Sequence, residues 1–168
     1  MLTFRPLYAS KISDVADLQR ILEDAPAYSH LVNGRQPLPT DAEDVFADLP
    51  PDFSAKDKLV AGFFFNHRMV GFADVCKGYP EVHIAYIGLL LFAEKFQGRG
   101  FGCEALNQIR TLARSWNCRA IRVAVMENNM PALMFWEKEG FGRLYRKTLK
   151  GCIGDVIVME SLLHLPTN

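Results

Sequence analysis

The spacing of apolar and polar positions changes period several times along the chain, and each change predicts an element. Leu2, Phe4 and Pro6 alternate as a short strand, after which Val15, Leu18, Ile21 and Leu22 recur at helical spacing over residues 14–23, with Ser13 as the opening residue. Over residues 26–39 the periodicity lapses. Pro26, Asn33, Gly34, Pro37 and Pro39 surround Tyr28 and His30, which predicts a long loop of the kind that is often functional or mobile. A short helix over 41–49, capped by Thr40 or Asp41, is stopped by Pro50 and Pro51. Three apolar runs follow, 58–65, 69–76 and 82–92, separated by turns at Asn66-His67 and Gly78-Tyr79-Pro80, and they predict an antiparallel meander. After residue 92 the period becomes helical. Ala105, Leu106, Ile109, Leu112, Ala113 and Trp116 form the stripe of a helix buried on one side and closed by Asn117. Ile121, Val123 and Val125 alternate as a strand, Asn129 and Pro131 open a helix that Gly140 stops, and 141–147 and 155–163 read as two strands about a turn at 151–154. The order strand, glycine turn, helix, strand over 82–125 is a right-handed crossover between parallel strands. The expected fold is therefore mixed α/β, an antiparallel N-terminal sheet continuing into a parallel portion.

Composition narrows the class. With 168 residues, 49% apolar and 23% charged, the chain suits a single domain over 1–168 with a real core, and it is too apolar and too balanced for disorder. Its 19 basic and 19 acidic residues argue against a surface given over to nucleic acid. No apolar run approaches the roughly 18 uncharged residues of a membrane helix, and the first ten residues lack the layout of a secretory signal, so no membrane partner and a cytoplasmic location are expected. Cys76, Cys103, Cys118 and Cys152 are dispersed, without a Cys-x-x-Cys pair or a nearby His, which predicts reduced thiols and no metal site. The neutral total conceals an asymmetry. Residues 1–60 carry 6 basic and 10 acidic side chains, whereas 95–150 carry 11 and 4. That division suggests an anionic partner for the C-terminal half and tolerance of a cation at the N-terminal part.

The chemistry-bearing motif stands at the junction of the last meander strand and the long helix: Gln97-Gly98-Arg99-Gly100-Phe101-Gly102. Glycines let the main chain turn tightly and approach a ligand, and the first N–H groups of the following helix have no internal partners. Such a turn is built for phosphate, and Arg99 adds a positive charge for a further phosphate group. The spacing differs from the Gly-x-Gly-x-x-Gly of a dinucleotide turn, Arg119 and Arg122 lie where that fold needs a carboxylate, and the Gly-Lys-Ser/Thr of a nucleoside triphosphate loop is missing.

These residues resemble the GCN5-related N-acetyltransferase (GNAT) family over about half the chain, from Tyr86 to Tyr145. The resemblance rests on Gln97-x-x-Gly100-x-Gly102 after Leu89-Leu90-Leu91-Phe92, and on Glu127-Asn128-Asn129-Met130-Pro131-Ala132 running on to Phe135-Trp136-Glu137-Lys138-Glu139-Gly140-Phe141. It implies an acyl-coenzyme A N-acyltransferase fold, a mostly antiparallel sheet with a parallel splayed strand pair flanked by helices. It also implies an acetyl-coenzyme A core over 82–145 and an acceptor side over 1–60. In such a site the amides of Gly98, Arg99, Gly100, Phe101, Gly102 and Cys103, behind Gln97, hold the pyrophosphate. Main chain near Leu90 and Phe92 pairs with the pantetheine arm as a strand edge pairs with a peptide. Asn129, Ala132 and Phe135 flank the arm and the thiol end. Leu89-Leu90-Leu91-Phe92 also reads as core strand, and both hold together, since side chains bury while the backbone binds. Family members often pair, so a homodimer is among the expectations, and Phe63 to Phe65 suit either a core or an interface.

Transfer of an acetyl group to an amine needs a neutral nitrogen, a polarised carbonyl and a departing thiolate. An amine of pKa near ~10.4 must lose a proton. Alternation along the central strand puts Glu81, His83, Ala85 and Ile87 on one face and Tyr86 on the other, until a bulge resets the register, which makes His83 and Glu81 the candidate bases ahead of Asp74 and His30. The Leu90 N–H is the candidate donor to the carbonyl. Where the family frequently has an acid tyrosine this chain has Trp136, whose indole cannot deliver a proton, so Tyr145 or Tyr28 substitutes, water serves, or catalysis is lost. As an aromatic, Trp136 reads first as packing its helix on the sheet. Tyr28, His30, Asn33, Arg35 and the acids of 41–48 are expected to select the acceptor. A non-catalytic acyl-coenzyme A module is the competing reading. A nucleic-acid site in the basic half lacks an aromatic platform or a reading helix.

Overall fold

The computed structural model describes residues 1–164; the last four residues of the expected domain lie outside them. Among the described residues the strands are β1 Thr3–Pro6, β2 Lys58–Phe65, β3 Arg68–Lys77, β4 Ile84–Phe92, β5 Ala120–Met126, β6 Gly142–Thr148 and β7 Asp155–Leu162. They form one sheet in the order β1-β2-β3-β4-β5-β7-β6, antiparallel at every step except β4 with β5, which run parallel. The mixed fold expected from the sequence is the one observed.

The α-helices are α1 Ile12–Glu23, α2 Pro26–Asn33, α3 Asp41–Ala47, α4 Phe101–Ser115 and α5 Met130–Lys138. They divide between the two faces of the sheet. On one, Ala105, Leu106, Ile109 and Ala113 of α4 and Leu133 and Trp136 of α5 bury against Val75, Ala85, Ile87, Ile121 and Val123. On the other, Leu18, Ile21 and Leu22 of α1 and Ala42 of α3 pack on Val60, Met69, Phe72 and Leu91. Phe63 is fully buried, and Phe64 and Phe65 pack partly buried against the two cores, so this run serves the core.

Several expectations need correction. Residues 26–33 are a helix, because Pro26 at its start has a preset φ and Gly34 closes it at φ 67°, the asymmetric punctuation that a short helix needs. Mixed aromatic and polar side chains hide its period. α1 begins one residue ahead of Ser13, and neither Thr40 nor Asp41 caps α3 through its side chain, since Asp41 instead binds Arg35 and the Leu38 amide. The third meander strand starts at Ile84 rather than 82. Gly78 and Tyr79 amides both donate to the Ile84 carbonyl and Ile84 donates back to Glu81, so Glu81, Val82 and His83 belong to a turn.

β4 departs from its neighbours in two ways. Its pairing with β5 runs only from Ile84 opposite Ala120 to Ile87 opposite Val123, after which β5 continues with β7 to Met126. A gap therefore opens between residues 88–92 and 124–126. On the β3 side, Asp74 pairs with Leu89 but Val75 pairs with Ile87, leaving Gly88 as a bulge. The extra residue turns both Gly88 and Leu89 toward the α1–α3 side and Leu90 toward the α4 side.

Candidate active site

At the C-terminal end of β4 the chain makes the glycine turn. Gly98 and Gly100 have φ of 70° and 83°, and nothing lies within 4 Å of where a Cβ would stand on either. Gly100 is the N-cap of α4. Among the described residues, no acceptor is paired with the amides of residues 98–103, which face outward at the positive end of a four-turn helix. Two side chains brace the turn. The Gln97 amide donates to the Phe92 carbonyl at 2.8 Å, and the Arg99 guanidinium sits 5.5 Å from the ring centroids of both Phe96 and Phe101. Gly102 lets α5 approach, since a Cβ there would meet the Phe135 ring at 3.2 Å.

The gap leads from this turn. Ala93 donates to the Val70 carbonyl, so the alternation of an antiparallel ladder makes 91 with 72 and 89 with 74 the bonded pairs. The main-chain groups of Leu90 and Phe92 therefore point away from β3, into the gap. The Phe92 carbonyl is already taken by Gln97, which leaves the Phe92 N–H and both groups of Leu90. On the far side, the Asn129 side chain caps α5 by accepting from the Ala132 amide at 3.2 Å, and Phe135 lies half-buried one turn on. Residues 90 and 92 thus face the gap, 97–103 form the turn at its end, and 129, 132 and 135 begin α5 just past the end of β5, with Phe135 against Gly102.

The opposite side of the bulge holds a cavity of about 340 Å³ between α2, α3, β3, β4 and the 149–154 turn. Asp41 and Asp44 lie one helical turn apart on α3 and line it with Asp48 just beyond. Asp74 enters from β3. Its Oδ2 is 3.1 Å from the Lys58 ammonium, which is 4% exposed and also donates to the Val45 and Asp48 carbonyls. Asp74 Oδ1 has no partner, and burial raises the Asp74 pKa, partly offset by Lys58. Ser29 is buried with an unpartnered Oγ in the same wall. Burial, with Cys152 and Asp74 nearby, pushes the Tyr28 phenol well up, so it stays a hydroxyl donor. Tyr86 is pushed up to about 12 by burial and by Tyr79 and Tyr145.

His83 and Glu81 lie outside this arrangement. Both are exposed on the turn before β4, at the end of the strand opposite the glycines, because the turn consumes residues that period-two counting assigns to the strand. Tyr145 is 48% exposed on β6 beside Tyr86. Trp136 is buried edge-on against Phe135 and Phe141, which is its packing role. Sequence spacing does not single out Lys58, Ser29 or Gly88, and it places Asp74 behind His83 and Glu81. The available signal is an acid and a lysine inside otherwise apolar strands, where a charge survives only when paired. Among the described residues, no group of three or more His, Cys, Asp or Glu could hold a metal ion, and no helix is long and apolar enough to cross a membrane.

The fold agrees with the relatives of the chain. The model of the acetyltransferase (GNAT) family matches residues 18–141, and the protein belongs to that family. Over 86 residues it is 28% identical to the spermine/spermidine N(1)-acetyltransferase of Bacillus subtilis (strain 168), a match spanning 48% of this chain and 57% of that relative's length. An acetyltransferase from Thermus thermophilus superposes with a TM-score of 0.78 at 24% identity, covering 97% of each chain. A GNAT acetyltransferase from Elizabethkingia anophelis with acetyl-CoA bound superposes with a TM-score of 0.66 at 15% identity, covering 96% of this chain and 98% of that one.

Proposed function

We propose that this protein is an N-acetyltransferase that moves the acetyl group of acetyl-coenzyme A to a primary amine by direct attack, with both substrates bound. The observation that carries the reading is the gap between β4 and β5, running into a turn whose amides at 98–103 have no partner among the described residues. Both features fit acetyl-coenzyme A. The open space before Gly98 and Gly100 admits a diphosphate, Arg99 and the start of α4 supply positive charge, and Leu90 and Phe92 offer main-chain partners to an amide-bearing arm. When bound, the group supplies an acetyl carbonyl activated as a thioester. The Leu90 N–H polarises that carbonyl, and Asn129 and Phe135 bound the thiol end.

The amine enters through the cavity on the other side of the bulge. Asp44 and Asp48 favour a cation there; Asp41 is held by Arg35 at 2.8 Å, Asp74 is paired with Lys58, and Lys150 is the other cation of the wall. The Bacillus relative is by name a polyamine acetyltransferase, and an oligocationic amine is the acceptor class that suits these carboxylates. The test is coenzyme A release from acetyl-coenzyme A with spermidine, spermine, an aminoglycoside and a free peptide N-terminus. Release that depends on one of these amines is the expected result. Tight cofactor binding with no acceptor-dependent release would favour a non-catalytic acyl-coenzyme A module, a reading that rests on Trp136 being core where the family often has an acid.

A further inference from the structure

We propose that Asp74 is the general base for the acceptor amine, oriented by Lys58 and given room by the bulge at Gly88. The proposal rests on the acetyltransferase reading and assigns to it a residue. Asp74 is paired with Leu89 in the sheet, immediately beside Leu90, whose main chain faces the gap. A Cβ on Gly88 would meet Asp74 Oδ2 at 3.2 Å, so the carboxylate lies directly against the bulge and opens on the acceptor cavity. The bulge thus stands between the carbonyl side and the amine side of the reaction.

The surroundings suit a base rather than a structural ion pair. Lys58 donates to the carbonyls of Val45 and Asp48 and stands as an ion partner 3.1 Å from Asp74 Oδ2; Oδ1 is buried without a partner, and Oδ2 is the oxygen that lies against Gly88 in the cavity wall. The charged and titratable groups around Asp74 are Lys58 from β2, Asp48 after α3, Tyr28 from α2 and Cys76 from its own strand, with Arg35, Asp41, Asp44, Lys150 and Cys152 in the wall of the same cavity. Burial outweighs the lysine and raises the carboxyl above its ordinary range, which strengthens it as a base.

The protons balance. An ammonium hydrogen passes to Asp74 and the nitrogen lone pair forms the C–N bond. The C–S bond breaks with its electron pair on sulfur. The second nitrogen proton neutralises the thiolate through water, and Asp74 returns its proton to solvent on product release.

The test compares the wild type with Asp74→Asn, which keeps the shape and an acceptor for Lys58, using spermidine as probe amine and a thermal melt to establish folding. The expected result is a loss of roughly 100-fold or more in kcat. The wild-type acidic limb of kcat/KM should inflect above ordinary aspartate and vanish in the variant, while acetyl-coenzyme A affinity stays within about threefold. Wild-type transfer with Asp74→Asn near full rate and an unchanged acidic limb would overturn the base and leave the acetyltransferase reading standing. No transfer by the wild type to any amine of the panel would overturn the reading, and the base with it. A carbon-13 titration of the Asp74 carboxyl is independent of turnover: a midpoint that coincides with the acidic limb of kcat/KM is expected, and one that does not follow that limb overturns the proposal.

Discussion

Gly100 concentrates several requirements in one residue: a left-handed φ of 83°, the N-cap position, and open space where a side chain would project. Gly100→Val costs roughly 1–2 kcal/mol in backbone strain and fills the space before the amides. The expected outcome is acetyl-coenzyme A binding weakened by at least tenfold in calorimetry, with circular dichroism unchanged. Asp14 makes a different residue-scale case. It is fully buried and accepts from the Arg5 guanidinium at 2.9 Å and the Tyr8 amide at 3.0 Å. The Arg5 bond, offset by burial and helped by Tyr8, holds its pKa below the ordinary value, so its contribution is present above about pH 3.9 and is lost as pH falls through the folded value. Asp14→Ala should cost about 1–3 kcal/mol in urea unfolding at pH 7, a difference that shrinks toward pH 2. The glycine turn is legible in the sequence because backbone needs leave a compositional mark. The cavity is less so, because Lys58 and Asp74 stand on different strands and meet only through strand register.

The bulge in β4 decides which side chains face which substrate. Gly88→Val would press on Asp74 and narrow the acceptor cavity without touching the glycine turn. Its expected signature is a rise in the KM for spermidine of tenfold or more, with the KM for acetyl-coenzyme A little changed. In α5 the arrangement argues the other way. Trp136 packs between Phe135 and Phe141, so Trp136→Phe should keep transfer within a few-fold of wild type while losing about 1–2 kcal/mol of stability as the core loses volume. Both β4 and α5 are legible as elements from their periodicity. The bulge is not, because one skipped pairing leaves no mark in an apolar run. α2 escapes a reading by period because its eight residues, with Pro at one end and Gly just past the other, resemble a loop until the sheet gives them a surface to lie on.

Across the whole molecule, the charge asymmetry of the chain becomes a spatial one. Asp41 and Asp44 of α3 line the cavity beside the bulge, where Lys150 is the C-terminal half's contribution, while that half also supplies the helix start at residue 101 and Arg99 beside it. The KM for a polyamine should therefore rise more steeply with ionic strength than that for a monoamine, since several screened charges contribute rather than one. Steady-state kinetics over a salt series measures it. The sequence alone determined the mixed sheet, its parallel crossover, the main helices and the glycine turn, because these depend on periods, glycines and caps that act over a few residues. Only the tertiary structure decided where β4 leaves β5, which face Asp74 and Leu89 share, and that His83 and Glu81 stay outside the cavity. Those outcomes depend on hydrogen-bond register between strands far apart in the chain, and a shift of one residue there reverses every side chain beyond it.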